Sequence, residues 1–291
     1  MQPRINQDYL PEVVEASKSV LLEAMTLLGE YRDSIVLIGG WAPYFLLKKN
    51  PAPVSSSDPM GQDAPFSHAG SIDIDLAVNP EKITSEEYKT IVRLLKDRGY
   101  KPDGELKYRF NRALPGLSEP IGLDFLTTQP PIGQGRGHRH RNVQNDLPAR
   151  ATAFLEMAFQ WNQPLKIEGE LPLKGGSVSV DLKLAALPAM FGLKGFALGS
   201  RYKEKDAYDI YAMARYYGRS IQEVIEVLKP HVGDAGLKKG LALIRDKFRH
   251  DKDAGPAWVA NFFSEASEKD RGSIMQDSFQ ALDRVLGGCG L

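Results

Sequence analysis

The stretch Ser71-Ile72-Asp73-Ile74-Asp75-Leu76-Ala77-Val78 constrains the chain more than any other. Aliphatic residues alternate with polar ones and Asn79-Pro80 closes the run, which is the pattern of a β-strand. A strand sends residues i and i+2 to the same face, so Asp73 and Asp75 are predicted to project together, opposite Ile72, Ile74 and Leu76. Neighbouring carboxylates repel, and a cation between them relieves the repulsion. An oxygen-only donor pair favours a hard ion such as Mg²⁺, commonly held by one or two carboxylates and substrate phosphates. The same two aspartates would equally serve as the solvent face of an edge strand, and D-x-D by itself does not choose between the two.

Its surroundings narrow the choice. Ser34-Ile35-Val36-Leu37-Ile38 is a short apolar run ended by Gly39-Gly40, and Trp41 to Leu47 then reads as the first turns of a helix with Pro43 near its start. A glycine pair between strand and helix lets the backbone approach a phosphate and leaves helix N-terminal N–H groups to meet it, although a close turn needs the same residues. Ile121 to Thr127 reads as another strand, in which Asp124 is an acid flanked by aliphatics; a cross-strand polar contact is the alternative there. Tyr108-Arg109-Phe110 lies in a further candidate strand. Helices are expected from Leu10 to about Tyr31 and from Thr84 to Arg98, the latter ended by Gly99. Residues 50–70, rich in Pro, Ser and Gly, read as a loop of the length often used as a lid or substrate loop.

Charge enters where nucleic acid is considered. Lys+Arg and Asp+Glu both number 37 in 291 residues, so the net charge is zero and a uniformly basic coat is excluded. One segment, Gly133 to Arg141, concentrates arginines that could contact phosphates; His138 and His140 within it read as surface residues rather than metal ligands. The single cysteine, Cys289, excludes an intrachain disulfide and fits a reducing compartment. The N-terminal residues lack an apolar h-region and no run approaches the ~20 apolar residues of a membrane span, so a cytoplasmic protein is expected.

From residue 149 to 161 the pattern reads as helix, and Leu165 to Val180 as short strands around Gly175-Gly176. Beyond Asp181 the pattern is helical: 182–199 interrupted by Pro188, then 203–217, 221–228, 237–248, 257–268 and 272–286, the last stopped by Gly287-Gly288. The chain is therefore expected to be α+β over 1–180, with a helical domain over 181–291. At the start of the helical part, Lys194 sits among apolar residues, which predicts an ammonium turned into a cleft where a triphosphate would be bound. Arg201 could fork onto phosphate or aspartate, and Asp206 and Asp209 share one helix face. A structural salt-bridge cluster, Arg201 or Lys205 with Asp206 or Asp209, is the alternative.

The order strand, Gly-Gly, helix, D-x-D strand, Asp strand, helical domain resembles the nucleotidyltransferase fold of the DNA polymerase β superfamily. Lys194…Ala197-Leu198…Arg201…Lys205-Asp206…Asp209-Ile210 resembles a signature of the AbiEii-type nucleotidyltransferase family, as does His68-Ala69-Gly70-Ser71-x-Asp73-x-Asp75. The likeness spans roughly residues 34–217. It departs in the long gap between Gly40 and Asp73, and in Gly-Gly-Trp-Ala where many superfamily members have Gly-Ser. The resemblance implies a mixed sheet with flanking helices followed by a helical bundle, and transfer of a nucleoside monophosphate from an NTP to an acceptor hydroxyl. It implies two Mg²⁺ ions, with Mn²⁺ as substitute, on Asp73, Asp75 and Asp124, and triphosphate contacts from Gly39, Gly40, Ser71, Lys194 and Arg201. Lys194 and Asp209 are implied as further catalytic residues. It also implies an RNA acceptor, the tRNA 3′ end in particular, and an antitoxin protein as partner. A small-molecule nucleotidyltransferase, and a nucleotide-binding regulatory protein without turnover, are the alternatives.

Overall fold

A computed structural model describes residues 5–54, 66–83, 85–129, 140–144, 147–263 and 268–291. The chain is α+β, with a mixed sheet, flanking helices and a helical C-terminal part. It divides into two units by internal contact. One comprises 10–42 and 70–186; the other comprises 1–9, 43–69 and 187–291. The sequence places one boundary near residue 180, whereas this division is discontinuous and its last boundary follows Ala186.

The first unit is built on nine strands: β1 (Ile35–Ile38), β2 (Ile74–Val78), β3 (Lys101–Pro102), β4 (Arg109–Arg112), β5 (Ile121–Thr128), β6 (His140–Gln144), β7 (Leu147–Thr152), β8 (Asn162–Glu170) and β9 (Ser177–Ala185). They run in the order β3-β4-β5-β2-β1-β9-β8, with β7 paired to the far half of β5 and β6 paired to β7. The central strands β1, β2 and β5 are largely buried, as their aliphatic content demands. β2 is antiparallel to β1 and parallel to β5, a register that sets Asp75 beside Asp124; β4, antiparallel to β5, sets Arg109 on the other side of Asp124. Among the described residues the α-helices here are α1 (Pro11–Leu27), α3 (Ser85–Asp97) and the short α4 (Glu156–Gln160). Glu23 of α1, almost fully buried, receives Arg98 and Arg112 at 2.8 Å each. Those two cations outweigh the burial that would raise its carboxyl and hold it below the usual range.

These strands correct two expectations. Residues 149–152 lie in strand β7, and only Glu156–Gln160 is helical; pairing of 150–152 with Leu126, Thr127 and Thr128 overrides an alanine-rich local preference for helix. The hairpin strand β9 continues to Ala185, so Pro188 lies in the first turn of the next helix, where its missing N–H is harmless, rather than interrupting one.

The second unit contains most of α2 (Trp41–Lys49) and the helices α5 (Leu187–Ser200), α6 (Glu204–Tyr216), α7 (Ile221–Leu228), α8 (Ala235–Lys247), α9 (Ala254–Phe262) and α10 (Glu268–Gly288). α10 runs through Gly287-Gly288, the expected stop, and its chain reaches the left-handed region only at Gly290. α6 is the hub, with all but one of its residues buried. Tyr208 stacks on Phe262 with centroids 4.2 Å apart, and Phe66 stacks on Tyr216 at 3.8 Å. α5 and α8 cross backbone to backbone: a Cβ on Gly195 would lie 2.2 Å from the Gly240 carbonyl oxygen, and one on Gly240 2.6 Å from that of Gly192. Only glycine fits such a crossing. Among the described residues no helix is long and apolar enough to cross a membrane.

Candidate active site

In the sheet unit the glycine turn and the acids come together. Gly39, at φ +68°, ends β1; a Cβ there would fall 1.9 Å from the Asp75 carboxylate oxygen Oδ2. A Cβ on Gly40 would lie 2.6 Å from Ser71 Oγ. The turn therefore packs directly on Asp75 and Ser71. Ser71 Oγ donates to the Asp73 carbonyl at 2.9 Å, which holds 71–73 in a bend. The ladder consequently starts at Ile74, and Asp73 stands just before the strand rather than within it, a correction to the simple alternation expected of D-x-D. Gly122 on β5 gives Asp73 room: a Cβ there would sit 2.8 Å from Asp73 Oδ1.

Asp124 is 6% exposed and both its oxygens are engaged. Arg109 Nε donates to Oδ1 at 2.6 Å and Nη2 to Oδ2 at 2.9 Å, while the same Nη2 stands 3.5 Å from Asp73 Oδ2. Burial pushes the Asp124 carboxyl up to about 6; the Arg109 bond opposes the shift and the charges of Asp75 and Asp73 add to it. Burial would lower the Arg109 guanidinium, but its bond to Asp124 and the charges of Asp73, Asp124 and Asp75 together hold it above its ordinary value. Three carboxylates thus share one guanidinium. The sequence predicts a strand around Arg109 but gives the side chain no role there. The usable signal was its position on a strand able to pair with the Asp124 strand, where an arginine opposite an acid is a favourable cross-strand partner.

Asp73, Asp75 and Asp124 supply carboxylate oxygen alone, the donor chemistry of Mg²⁺ or Mn²⁺. Among the described residues no three of His, Cys, Asp or Glu are spaced to hold a metal ion as they stand; both Asp124 oxygens face Arg109 instead. The donor set fits a hard divalent cation once those oxygens are released.

The helical unit holds Lys194, Arg201 and Asp209. Lys194 is 6% exposed, and its Nζ lies 2.9 Å from Asp206 Oδ1 and 2.6 Å from Asp209 Oδ2. Arg201 Nε donates to Asp206 Oδ2 at 2.7 Å, and Lys205 is ion-paired with Asp209 one turn below it. His68 Nε2 lies 3.0 Å from Asp209 Oδ1. Burial would raise Asp206, yet Lys194 and Arg201 bring it down to about 2, and Lys194 and Lys205 depress Asp209 further. An ionised Asp209 can only accept, so His68 Nε2 carries the shared proton. Burial, then the charge of Lys205, hold the His68 imidazole down to about 4, hence neutral at pH 7. Burial likewise brings Lys205 down to about 8, Lys194 adding to the effect and Asp209 limiting it. The salt bridges Arg201–Asp206 and Lys205–Asp209 are both formed, with Lys194 at their centre; His68 completes the set across 141 positions of sequence.

A separate concavity of about 660 Å³ opens in the same helical unit, lined by Arg215, Arg219 and Arg284 over Ile221, Ile225 and Pro53. Arg215 also pairs with Asp277 at 3.3 Å. Of the basic segment expected to meet phosphates, residues 133–139, including Arg136 and His138, lie outside the described residues; His140 and Arg141 open strand β6. Residues 55–65 of the expected lid loop and Thr84, where the helix to Arg98 is expected to begin, also lie outside them.

No protein-family model matches the chain, and no curated protein matches it. Among solved structures it is similar to an antigenic nucleotidyltransferase-like protein from Paracoccidioides brasiliensis, at 18% identity and a TM-score of 0.40, covering 84% of this chain and 91% of that one. A likeness at this distance leaves the reading of the site to its own residues.

Proposed function

We propose that the chain is a divalent-cation-dependent nucleotidyltransferase that moves a nucleoside monophosphate from an NTP to an acceptor hydroxyl. The observation that carries this reading is the packing of the Gly39-Gly40 turn directly on Asp75 and Ser71, with Asp124 the register partner of Asp75. This packing supports the reading, because a glycine turn that can approach phosphate and carboxylates that can hold a cation lie next to one another. Asp73, Asp75 and Asp124 would hold two Mg²⁺ ions, which neutralise charge on the attacking and leaving oxygens. Gly39 and Gly40 N–H groups and the Ser71 hydroxyl orient the triphosphate. The acceptor oxygen attacks the α-phosphorus, the bond to pyrophosphate breaks, and the acceptor proton passes to Asp124. Such a reaction asks mainly for positioning and charge neutralisation from the protein.

Lys194 and Asp209 serve this reading as positioning residues that lock α5 to α6, while Arg201, with nearly half of its side chain exposed, is the member of that cluster that reaches solvent. RNA is the proposed acceptor, tRNA in particular, in a toxin-like protein with an antitoxin partner, as the family resemblance suggests. The arginine-lined concavity supports a phosphate-rich acceptor and predicts steep salt dependence of binding. One observation favours a second reading, a nucleotide-binding protein without turnover: both Asp124 oxygens are occupied by Arg109.

Transfer of label from each α-³²P-NTP with Mg²⁺ to total bacterial RNA, beside an Asp75→Ala control, separates these. Labelled RNA that disappears with Asp75→Ala supports RNA transfer. Nucleotide binding without label transfer favours the second reading or a small-molecule acceptor, and absence of nucleotide binding defeats nucleotidyl transfer altogether.

A further inference from the structure

We infer that Arg109 is a built-in counter-ion that occupies the carboxylate site and must exchange with the divalent cation, so that it sets the site's cation affinity. The inference rests on the carboxylate reading above. Its geometry is independent of any titration. One guanidinium spans two of the three acids, in a fork on Asp124 at 2.6 and 2.9 Å and with Nη2 3.5 Å from Asp73. Antiparallel register brings Arg109 opposite Asp124, so the strand itself delivers it. The slot is floored by Gly122, where a Cβ would come within 3.0 Å of the guanidinium carbon and 2.8 Å of Asp73 Oδ1. A side chain at 122 would displace the arginine, the aspartate or both.

Three carboxylates this close to one another and partly desolvated need positive charge at all times. Arg109 supplies it before a cation arrives. The fork takes a lone pair on each oxygen of Asp124 and sets a positive charge against both, so guanidinium and cation compete at that residue. Arg109 thus raises the cation concentration needed to load the site and protects the acids from mutual repulsion when it is empty.

The sign of one measurement separates competition from orientation. Mn²⁺ binding to the full-length chain, followed by calorimetry and by the spin-resonance signal of free Mn²⁺, is compared among wild type, Arg109→Ala, Arg109→Lys and Asp75→Asn. Arg109→Ala is expected to bind Mn²⁺ about tenfold tighter or more, because a unit charge within a few ångströms of the ion has gone. Arg109→Lys keeps the charge but loses the fork, and should tighten binding by about threefold. Millimolar methylguanidinium should return Arg109→Ala towards the wild-type affinity. If Arg109→Ala binds Mn²⁺ equally or more weakly while Asp75→Asn abolishes binding, Arg109 only orients the carboxylates and the inference falls alone. If no variant shows Mn²⁺ binding that depends on Asp75, the carboxylate reading falls and takes the inference with it. Arg109→Lys keeps the test decisive should Arg109→Ala fail to fold.

Discussion

The molecule holds two dense clusters of charge, and they differ in balance. In the sheet unit three carboxylates, Asp73, Asp75 and Asp124, share one guanidinium, and about a third of the Asp73 side chain is exposed. In the helical unit two carboxylates, Asp206 and Asp209, meet Lys194, Lys205 and Arg201, and a neutral imidazole takes a further oxygen. Among the described residues the first cluster meets one guanidinium, and burial raises the carboxyl of its most buried acid, Asp124. The second is saturated, and its acids are depressed. Clustered carboxylates beside a glycine turn are, on the proposed reading, a place for a ligand to bind. A balanced, buried network is a place where the chain holds itself together. Both look alike in sequence, because spacing and residue type do not report who neutralises whom.

The comparison predicts opposite phenotypes, and activity should show the largest effect. Asp75→Ala should reduce nucleotidyl transfer by about a thousandfold while the urea midpoint stays close to that of the wild type, since one of three mutually repelling charges is removed. A large loss of stability instead would mean that the acids are structural. Next in size, Asp209→Asn should cost about 3–5 kcal/mol in urea unfolding, because buried Lys205 loses its paired carboxylate, His68 loses a charged acceptor and Lys194 keeps only Asp206. Unchanged stability would break the contrast from the other side.

Acid should sharpen it further. His68 is held near 4 in the folded chain against about 6.5 when unfolded, so between those values the unfolded chain takes up a proton that the folded one refuses. Its contribution is complete above about 6.5 and is lost as pH falls towards 4, a slope worth roughly 3 kcal/mol. Urea midpoints taken at pH 7 and pH 4.5 should converge in His68→Gln relative to wild type. Smaller still, Gly240→Ala should destabilise the α5–α8 crossing by about 1–3 kcal/mol, read by thermal unfolding.

Much of this architecture was readable locally. Strands β1 and β5 and helices α6 and α7 follow from hydrophobic period and from the turn and cap residues at their ends, and α7 runs from Ile221 to Leu228 as its pattern predicts. The glycine turn and the acids were identified from residue type, and the sheet register places Asp75 beside Asp124. What stayed hidden depends on distant partners. Residues 149–152 became strand because β5 offered an edge. Arg109 acquired meaning only from being opposite Asp124. Lys194 reads as a cation aimed at a cleft until Asp206 and Asp209 are seen to enclose it, and the grouping of 66–69 with α6 rests on contacts such as His68 with Asp209 and Phe66 with Tyr216.

The interleaving of the two units has a consequence for how the protein is made. Tyr9 belongs to the helical unit and meets Phe262, roughly 250 residues later, with ring centroids 5.7 Å apart. At ordinary rates of translation the ninth residue waits on the order of ten to fifty seconds for that partner to leave the ribosome. Residues 10–42 and 70–186 can finish their sheet meanwhile, so the order of synthesis favours the unit carrying the carboxylates as the first to fold. A fragment beginning at Leu187 would lack Tyr9, Phe66 and His68, and with them part of its own core.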